Sequence, residues 1–414
     1  MNILHISYTD FEGGAARAAS RLNSALNQNG VNSKLFVRIK KTQLATVIGP
    51  ESKFQKGINL IRPTLGLAIN KLQKPDNKNL HSGNWLPSNL SSYINKSTAD
   101  IINLHWVAGE TMSIEDIGRI TKPIVWTMHD MWPFTGMEHI ASYDEMARWR
   151  HGYKNSLTNL FQGGCNLNRL VWKRKLRAYK TISKIVAPSS WLYNLAGESE
   201  LLSSCQAEVI PNALDTNTFK PLNKFFAKNA LNIPINKKVI LFGAAGGTRD
   251  PNKGFKHLES ALIYLWDNLE DRENYICLIF GESSTSNSLK FDQKWLGQVW
   301  DDSSLALVYS AADVMVVPSI QENLPQSATE AMSCGCPVIA FNSSGLPDAV
   351  DHLKTGYLAR SFDPVDLAAG IKMLLLNDEI RTAYGHASRE KAINKWSYKK
   401  VALQYNDLYE EILS

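Results

Sequence analysis

Two glutamates stand eight positions apart in the stretch "SIQENLPQSATEAMSCGCPVIAF", residues 319–341. Glu322 follows the apolar run "ADVMVVPS", where a strand should end, and Glu330 falls about one and a half turns into the next helix. We expect Asn323 to cap that helix and Pro325 to lie in its first turn. A carboxylate among Ala and Met needs hydrogen-bond donors, which the vicinal hydroxyls of a ribose would supply, and Glu322 would hold a second polyol. The alternative is that Glu330 faces solvent.

A glycine-rich loop carries two cations in the second half of the chain. The run "VILFGAAGGTRDPNKGF" places Gly246 and Gly247 after a strand and brings Arg249 and Lys253 within ten residues of its end. Such a strand-to-helix loop suits a diphosphate, whose charge needs neutralising. The order of residues is not that of a Walker loop. The alternative is a solvated basic loop.

The first half of the chain has two candidate ligand-binding points at strand ends. In "YTDFEGGAARAASRL", Gly14 precedes a helix expected over about residues 15–29, so backbone N–H groups would be available to an anion. The spacing is not that of a dinucleotide fingerprint, and a simple glycine turn is an equal alternative. In "PIVWTMHD", His129 stands at a strand's carboxyl end and could hydrogen-bond a ligand, although a structural histidine is the alternative.

These residues need a scaffold, and the composition is that of an ordinary globular protein. The chain has 414 residues, 44% hydrophobic and 20% charged, with a formal net charge of +6. That length favours two domains, and the charge suits an anionic ligand or membrane surface better than a nucleic acid. Five scattered cysteines indicate neither a disulfide framework nor a zinc site. The chain opens directly as a strand and has no long apolar run, so we expect a cytoplasmic protein that can lie peripheral to a membrane.

Short apolar runs alternate with helical patterns twice along the chain, before and after residues 211–221. Runs such as "NILHIS", "KKVILFGA" and "CPVIAF" are typical of parallel strands buried on both faces. The sequence therefore predicts two doubly wound α/β domains, and ligands bind such sheets at the carboxyl ends of the strands. The final stretch predicts an amphipathic helix.

The combination resembles the retaining GT-B glycosyltransferases of family four. The likeness rests on "ENLPQSATE" with "EAMSCGCPVIAFNSSGLPDAV" after it, and on "GGAARAASRL", "TMHDMWPFTG", "VIPNALDTNTFKP" and the "KG" loop in the same order. It covers nearly the whole chain. The stretch "HDMWPFTGMEH" is most similar to bacterial exopolysaccharide and lipopolysaccharide transferases of the colanic-acid type.

The resemblance implies the GT-B fold, with two Rossmann-like parallel-sheet domains facing a central cleft. The implied parts are an acceptor-side domain over 1–210, a hinge over 211–221, a nucleotide-sugar domain over 222–392 and a helix over 393–414 that crosses back to the first domain. Catalysis is assigned to Glu322, His129 and Lys253. Donor binding is assigned to Gly14, Arg249, Lys253, Glu322, Asn323, Leu324, Gln326 and Glu330.

The implied reaction moves a sugar from a nucleotide diphosphate, UDP or GDP by preference, to an oligosaccharide or polyprenyl-diphosphate-linked acceptor. The product would serve exopolysaccharide, lipopolysaccharide or O-antigen assembly at the cytoplasmic face of the inner membrane. No cofactor, metal or nucleic acid is expected. Relatives carry an arginine where this chain has Gly247, so whether Arg249 replaces it is open. Base contacts are expected near residues 281–282 and 295–299.

Acceptor contacts are expected from Glu138 and His139. A basic stretch over residues 53–74 has apolar residues at helical spacing and no acid, which fits a helix on an anionic membrane; a core-packing helix is an equal alternative. The stretch "WKRKLRAYK" could meet a lipid diphosphate or be a solvated helix face.

Two other functions remain open at the level of the sequence. A sugar-nucleotide epimerase on the same fold would need an acid/base constellation that the sequence does not reveal. A non-catalytic nucleotide-sugar binding protein would use the same donor residues without turnover.

Overall fold

A computed structural model describes residues 1–73, 79–154, 166–243, 250–282 and 289–414. Contacts divide the chain into two compact units, Met1–Pro211 with Val401–Ser414 and Asn212–Lys400. The four described cysteines, Cys205, Cys277, Cys334 and Cys336, are free thiols. Within the described part of the chain, no helix is long and apolar enough to cross a membrane.

The first unit is built on a seven-stranded parallel sheet in the order β3-β2-β1-β4-β5-β6-β7. Its strands are β1 (Asn2–Thr9), β2 (Asn32–Ile39), β3 (Val47–Ile48), β4 (Ile101–Leu104), β5 (Ile124–Thr127), β6 (Ile182–Ala187) and β7 (Gln206–Val209). The central strands β4 and β5 are buried throughout, as their Ile, Val and Leu content requires for a sheet covered on both faces. The strand order reverses between β1 and β4, which places their carboxyl ends at the usual ligand-binding edge.

Helices connect these strands as crossover elements. They are α1 (Gly14–Gln28), α2 (Lys53–Asn70), α3 (Leu90–Lys96), α4 (Ile114–Gly118), α5 (Leu167–Ala178) and α6 (Ser190–Gly197). Short 3₁₀ turns cover Trp132–Phe134, Arg148–His151 and Tyr179–Thr181. The helix predicted over residues 15–29 begins and ends one residue earlier.

The second unit has a six-stranded parallel sheet in the order β10-β9-β8-β11-β12-β13. Its strands are β8 (Lys238–Gly243), β9 (Tyr275–Phe280), β10 (Asp292–Trp295), β11 (Val314–Val317), β12 (Val338–Phe341) and β13 (Gly356–Ala359). Here the order reverses between β8 and β11, so the loops after these two strands leave the sheet side by side. The predicted pair of doubly wound parallel sheets is confirmed.

The helices of the second unit are α7 (Lys224–Ala230), α8 (Phe255–Asp267), α9 (Asp302–Ala311), α10 (Gln326–Ser333), α11 (Leu346–Ala349), α12 (Pro364–Leu376) and α13 (Asp378–Trp396). Two 3₁₀ turns cover Pro251–Lys253 and Arg272–Asn274.

The last helix, α14 (Tyr398–Leu413), packs on the first sheet from Val401 onward. The Asn103 side-chain amide donates a 2.6 Å hydrogen bond to the hydroxyl of Tyr409, and the hydroxyls of Thr127 and Tyr405 lie 2.9 Å apart. Both tyrosines are buried, so this helix contributes to the core of the first unit.

Candidate functional site

The loops after β8 and β11 meet at the switch point of the second sheet. The Lys253 ammonium, after β8, lies 2.7 Å from Oε1 of Glu322, after β11. Both side chains are about four-fifths buried, at 24% and 17% exposure. The neighbouring carboxylate of Glu322 raises the pKa of Lys253, although burial opposes this effect. Two residues that are 69 positions apart in sequence thus form one charged pair at the ligand-binding edge.

Hydrogen bonds to backbone carbonyl oxygens hold the two loops together. The Asn252 side chain donates to the carbonyl oxygen of Gln321 at 2.7 Å, and the amide of Ile320 donates to the carbonyl oxygen of Asn252 at 2.8 Å. Gly254 has a φ of +69°, and a Cβ there would lie 1.8 Å from the carbonyl oxygen of Pro318. Only glycine permits this approach, so the "KG" pair positions the lysine against the second loop.

The segment of Glu322 is also held from the side of β12. Its amide donates to the Ser344 hydroxyl at 2.9 Å, and its carbonyl oxygen accepts from the amide of Gly345 at the same distance. A Cβ on Gly345 would lie 1.6 Å from the carbonyl oxygen of Asn323. The backbone of residues 320–323 is therefore held by two neighbouring loops, those after β8 and β12.

Helix α10 begins at Gln326 with Pro325 as its N-cap residue, and no side chain makes a capping bond. The prediction that Asn323 caps the helix and that Pro325 lies in its first turn is therefore wrong by one to two residues. The fixed φ of proline, −67° here, lets the chain enter the helix without a polar cap. Leu324 is buried at 5% exposure, which anchors the loop in the core.

Glu330 points into the protein, and the alternative of a solvent-facing side chain is wrong. It is 3% exposed, and its Oε2 accepts a 2.8 Å hydrogen bond from the hydroxyl of Tyr309 on α9. A carboxylate offers about four acceptor positions, so this bond is compatible with further donors from a ligand. Tyr309 is held in turn by ring contacts with Phe280 and Phe219, at centroid distances of 5.8 and 6.3 Å. The role of Tyr309 was not predicted from the sequence. The one signal that could have indicated it is a phenol within the otherwise apolar helical stretch "LALVYSA".

The predicted base-contact region is formed by the ends of β9 and β10. The amide of Gly281 donates to the carbonyl oxygen of Gly297 at 2.8 Å, and the Gln298 side chain donates to the carbonyl oxygen of Gly281. Gly281 has a φ of +94°, which suits glycine. Arg249, the other predicted diphosphate cation, lies outside the described residues, as do Gly246 and Gly247.

In the first unit, His129 is the last member of a row of three histidines. Nδ1 of His5 lies 2.8 Å from Nε2 of His105, and Nδ1 of His105 lies 2.9 Å from Nε2 of His129. Burial lowers the pKa of His5 to about 3 and that of His129 to about 4, and it lowers the pKa of His105 as well. All three rings are therefore neutral at pH 7. A neutral His105 carries one N–H, so both hydrogen bonds run in the same direction and the tautomer of His5 determines that of His129.

Asp130, the residue after His129, organises the aromatic pocket beside this row. Its Oδ2 accepts from the Trp106 indole at 2.9 Å and from Nδ1 of His139 at 2.6 Å. Nε2 of His139 lies 2.9 Å from the Ser82 hydroxyl. His139, predicted to contact the acceptor, is thus 4% exposed and held by protein groups on both ring nitrogens.

Glu138 is also buried and belongs to a polar network. One carboxylate oxygen accepts from the Tyr153 hydroxyl and the other from the Asn168 amide at 3.1 Å. Burial raises the pKa of Glu138. Nearby, the Lys175 ammonium donates to the carbonyl oxygens of Trp132 and Gly136 and is fully buried, so its pKa is lowered. Lys175 belongs to the stretch "WKRKLRAYK", which was predicted to be a solvated helix face or to meet a lipid diphosphate. Because Lys175 is buried, neither prediction applies to this lysine.

Gly14 is the first residue of α1. Gly13, the N-cap residue, has a φ of +91°, and no atom lies within 4 Å of where its Cβ would be. The glycine there satisfies a backbone requirement and leaves space at the helix N-terminus. A role for Gly14 in ligand binding stays a prediction.

In the second unit the structure brings Lys253 and Glu322 into contact. In the first unit it brings His139 into contact with Asp130, the residue that follows His129. In residues 1–73, 79–154, 166–243, 250–282 and 289–414, no cluster of three or more His, Cys, Asp or Glu side chains could hold a metal ion.

Comparison with known proteins shows similarity to glycosyltransferases. Residues 223–391 match the family model described as "Glycosyl transferases group 1". A D-inositol 3-phosphate glycosyltransferase of Corynebacterium jeikeium is 31% identical over 225 residues, which are 51% of this chain and 53% of that protein. The chain spans about half the length of the curated relatives it matches.

Solved structures match over almost the whole chain. Sucrose-phosphate synthase of Thermosynechococcus elongatus aligns with a TM-score of 0.65 and 19% identity, covering 100% of this chain and 99% of that one. Anabaena HepE, solved with UDP and glucose, aligns with a TM-score of 0.65 and 15% identity, covering 99% and 100%. The chain therefore has the GT-B fold, and residues 223–391 of its second unit match the model described as "Glycosyl transferases group 1".

Proposed function

We propose that this chain is a glycosyltransferase that moves a sugar from a nucleotide diphosphate to an acceptor hydroxyl, with the second unit holding the donor. The observation that carries the proposal is the Lys253–Glu322 pair at the switch point, with the buried carboxylate of Glu330 on the helix that follows. These three residues lie inside the region that matches the glycosyltransferase family. HepE, which shares the fold, was solved with UDP and glucose.

Under this proposal each residue has a chemical task. Lys253 neutralises the diphosphate, whose negative charge grows as the bond from its oxygen to the anomeric carbon breaks. Glu322 accepts hydrogen bonds from donor-sugar hydroxyls, and its ion pair holds the lysine in place before the donor arrives. Glu330 accepts hydrogen bonds from the ribose hydroxyls while Tyr309 orients its carboxylate. Gly14 and the backbone of residues 323–326 complete the donor site, with Arg249 as a second cation.

In the reaction, the acceptor oxygen forms a bond to the anomeric carbon and its proton passes to an oxygen of the departing diphosphate. We propose that attack occurs on the face from which the diphosphate leaves, so that the anomeric configuration is retained. His129 hydrogen-bonds the donor sugar from the first unit, in the tautomer set by His5 and His105. No resident metal or cofactor enters this scheme.

The acceptor is the second part of the proposal. We favour an oligosaccharide on a polyprenyl diphosphate, in surface-polysaccharide assembly in the cytoplasm at the inner membrane. Two relatives, from Corynebacterium jeikeium and Corynebacterium glutamicum, are named D-inositol 3-phosphate glycosyltransferases, and a phosphorylated cyclitol is therefore the second candidate acceptor. Both acceptors carry phosphate.

The experiment supplies UDP-, GDP- and ADP-sugars to the purified chain, with and without each acceptor class. We expect donor hydrolysis or transfer, which Glu322→Gln should abolish and Lys253→Met should slow by about 10²–10³-fold, the usual cost of losing one preorganised charge stabiliser. Lys238→Met is the matched control, because this lysine also pairs with a carboxylate, at 2.9 Å, and has a similar exposure of 30%. It lies at the other end of β8, away from the proposed donor site. It should retain activity within about twofold, as surface substitutions usually do.

Other outcomes would contradict the proposal. Inversion at C2 of the donor sugar without transfer would identify an epimerase. Nucleotide-sugar binding without turnover, across all donors and acceptors, would identify a binding protein.

A further inference from the structure

Helix α2 exposes an apolar surface that the proposed transferase reaction does not use. Six large apolar side chains of this helix are between 41% and 76% exposed: Phe54, Ile58, Leu60, Ile61, Leu65 and Leu67. Four of them recur at spacings of four, three and four residues, so they form one stripe along the helix. A surface helix of a globular protein normally turns such a stripe towards the core.

The side of α2 that faces the protein is polar instead. Asn59 donates to the carbonyl oxygen of Arg38 at 2.9 Å, and Arg62 donates to the carbonyl oxygen of Glu110 at 2.9 Å and to two further carbonyl oxygens at the same distance. A Cβ on Gly66 would lie 2.3 Å from the Glu110 carboxylate, so the helix approaches closely on this side. The helix is thus seated by hydrogen bonds with its apolar side outward, which excludes the core-packing alternative.

The charged side chains of α2 and of residues 71–73 after it are all cations. Lys53, Lys56 and Lys71 are exposed, and residues 52–73 contain no Asp or Glu. The neighbouring helix α5 continues this pattern, since its exposed positions are Leu170, Lys173, Leu176 and Arg177. The segment after α2 contacts α5, since the backbone amide of Asn168 donates to the Gln73 side chain at 2.9 Å.

We propose that α2 is an interfacial helix that lies on an anionic lipid surface, with its apolar stripe among the acyl chains and its lysines at the head groups. Apolar residues flanked by lysines without acids are what such a surface selects. A two-fold dimer through the same stripe would bring the lysines of two copies together, which like-charge repulsion disfavours. The proposal concerns attachment only and does not depend on the transferase reaction.

The test is co-sedimentation of the purified full chain with lipid vesicles, without any sugar nucleotide. We expect binding to phosphatidylcholine vesicles that contain about 30% phosphatidylglycerol, weak binding to phosphatidylcholine alone, and suppression by salt. Ile61→Asp with Leu65→Asp should lower the partition coefficient about tenfold or more, because both side chains would lose their place in the acyl region. The matched control, Ile263→Asp with Leu376→Asp, replaces an Ile and a Leu of similar exposure in the second unit and should bind normally.

A second variant keeps the test independent of folding. Lys53→Gln with Lys56→Gln and Lys71→Gln should weaken binding about fivefold per charge at low salt. The proposal would be overturned if the wild-type protein did not bind anionic vesicles. It would also be overturned if the Ile61→Asp/Leu65→Asp variant bound them as the wild type does. A wild-type dimer that becomes a monomer in that variant would instead assign the stripe to a second copy of the chain.

Discussion

Replacing Tyr309 by Phe tests the buried part of the donor site. The substitution keeps the ring that contacts Phe280 and removes only the hydroxyl, which is buried and donates at 2.8 Å to the Glu330 carboxylate. A hydrogen bond to a charged group contributes about 1.5–3 kcal/mol, and its loss leaves a buried carboxylate with one donor fewer. In a domain of roughly 200 residues that loss lowers Tm by about 3–12 °C.

The assay is differential scanning calorimetry, in which the transition of the second unit is identified as the one that UDP raises. Tyr264→Phe on α8 is the control, because that tyrosine is 43% exposed, and its change should stay within about 0.5 kcal/mol. UDP should still bind Tyr309→Phe, because Glu330 remains, and should bind Glu330→Ala far more weakly. A Tyr309→Phe shift no larger than that of Tyr264→Phe would refute the reasoning that the phenol stabilises a buried carboxylate.

Gly254→Ala should unfold the loop or abolish nucleotide binding, because the φ of Gly254 is positive and a Cβ there would lie 1.8 Å from a backbone oxygen. Gly57→Ala, with open space around the glycine, should do neither. Titration of both variants with UDP by calorimetry compares their nucleotide binding. The first unit should lose stability in acid. The pKa values of His5 and His129 fall from 6.5 in the unfolded chain to about 3 and about 4, so the unfolded state binds more protons below pH 6.5. The free energy of unfolding of the first unit should therefore fall by about 1.4 kcal/mol per pH unit for each histidine as the pH drops from 6.5 to 4. Melting curves across this range should show that slope, which His129→Gln should reduce; a flat profile would contradict the burial of the neutral rings.

The fold was predictable because its central strands are continuous apolar runs. The runs "KKVILFGA" and "ADVMVVPS" became β8 and β11, which have neighbours on both sides. The strands that the sequence analysis missed are β3, β10 and β13, and each lies at the edge of its sheet. An edge strand is half solvated, so a sequence such as "DQKW" carries no apolar signal.

The site was predictable only where a residue's position along the chain fixes its place in the sheet. Lys253 and Glu322 follow adjacent strands at the switch point, so the sequence could bring them to one edge, and the structure places them 2.7 Å apart. The burial of Glu330 depends on Tyr309, which comes from another helix, and no local pattern encodes that contact. The three histidines likewise meet only because β1, β4 and β5 are neighbours.

For Glu138 and His139, position along the chain does not distinguish contact with a ligand from a structural role. Their place shortly after His129 predicts acceptor contacts, which stays a prediction; in the structure they are buried and bond to Tyr153 and Asp130. A polar residue near a ligand-binding edge can serve the site by holding its walls, and the sequence alone does not separate the two roles.

The most direct measurement is a crystal structure of the chain with the nucleotide sugar that raises its melting temperature most. The proposed donor site predicts a Glu330 carboxylate oxygen within about 2.6–3.2 Å of a ribose hydroxyl, and the Lys253 ammonium at a similar distance from a diphosphate oxygen. A nucleotide bound elsewhere, with Lys253 still paired only to Glu322 and Glu330 bonded only to protein groups, would contradict it.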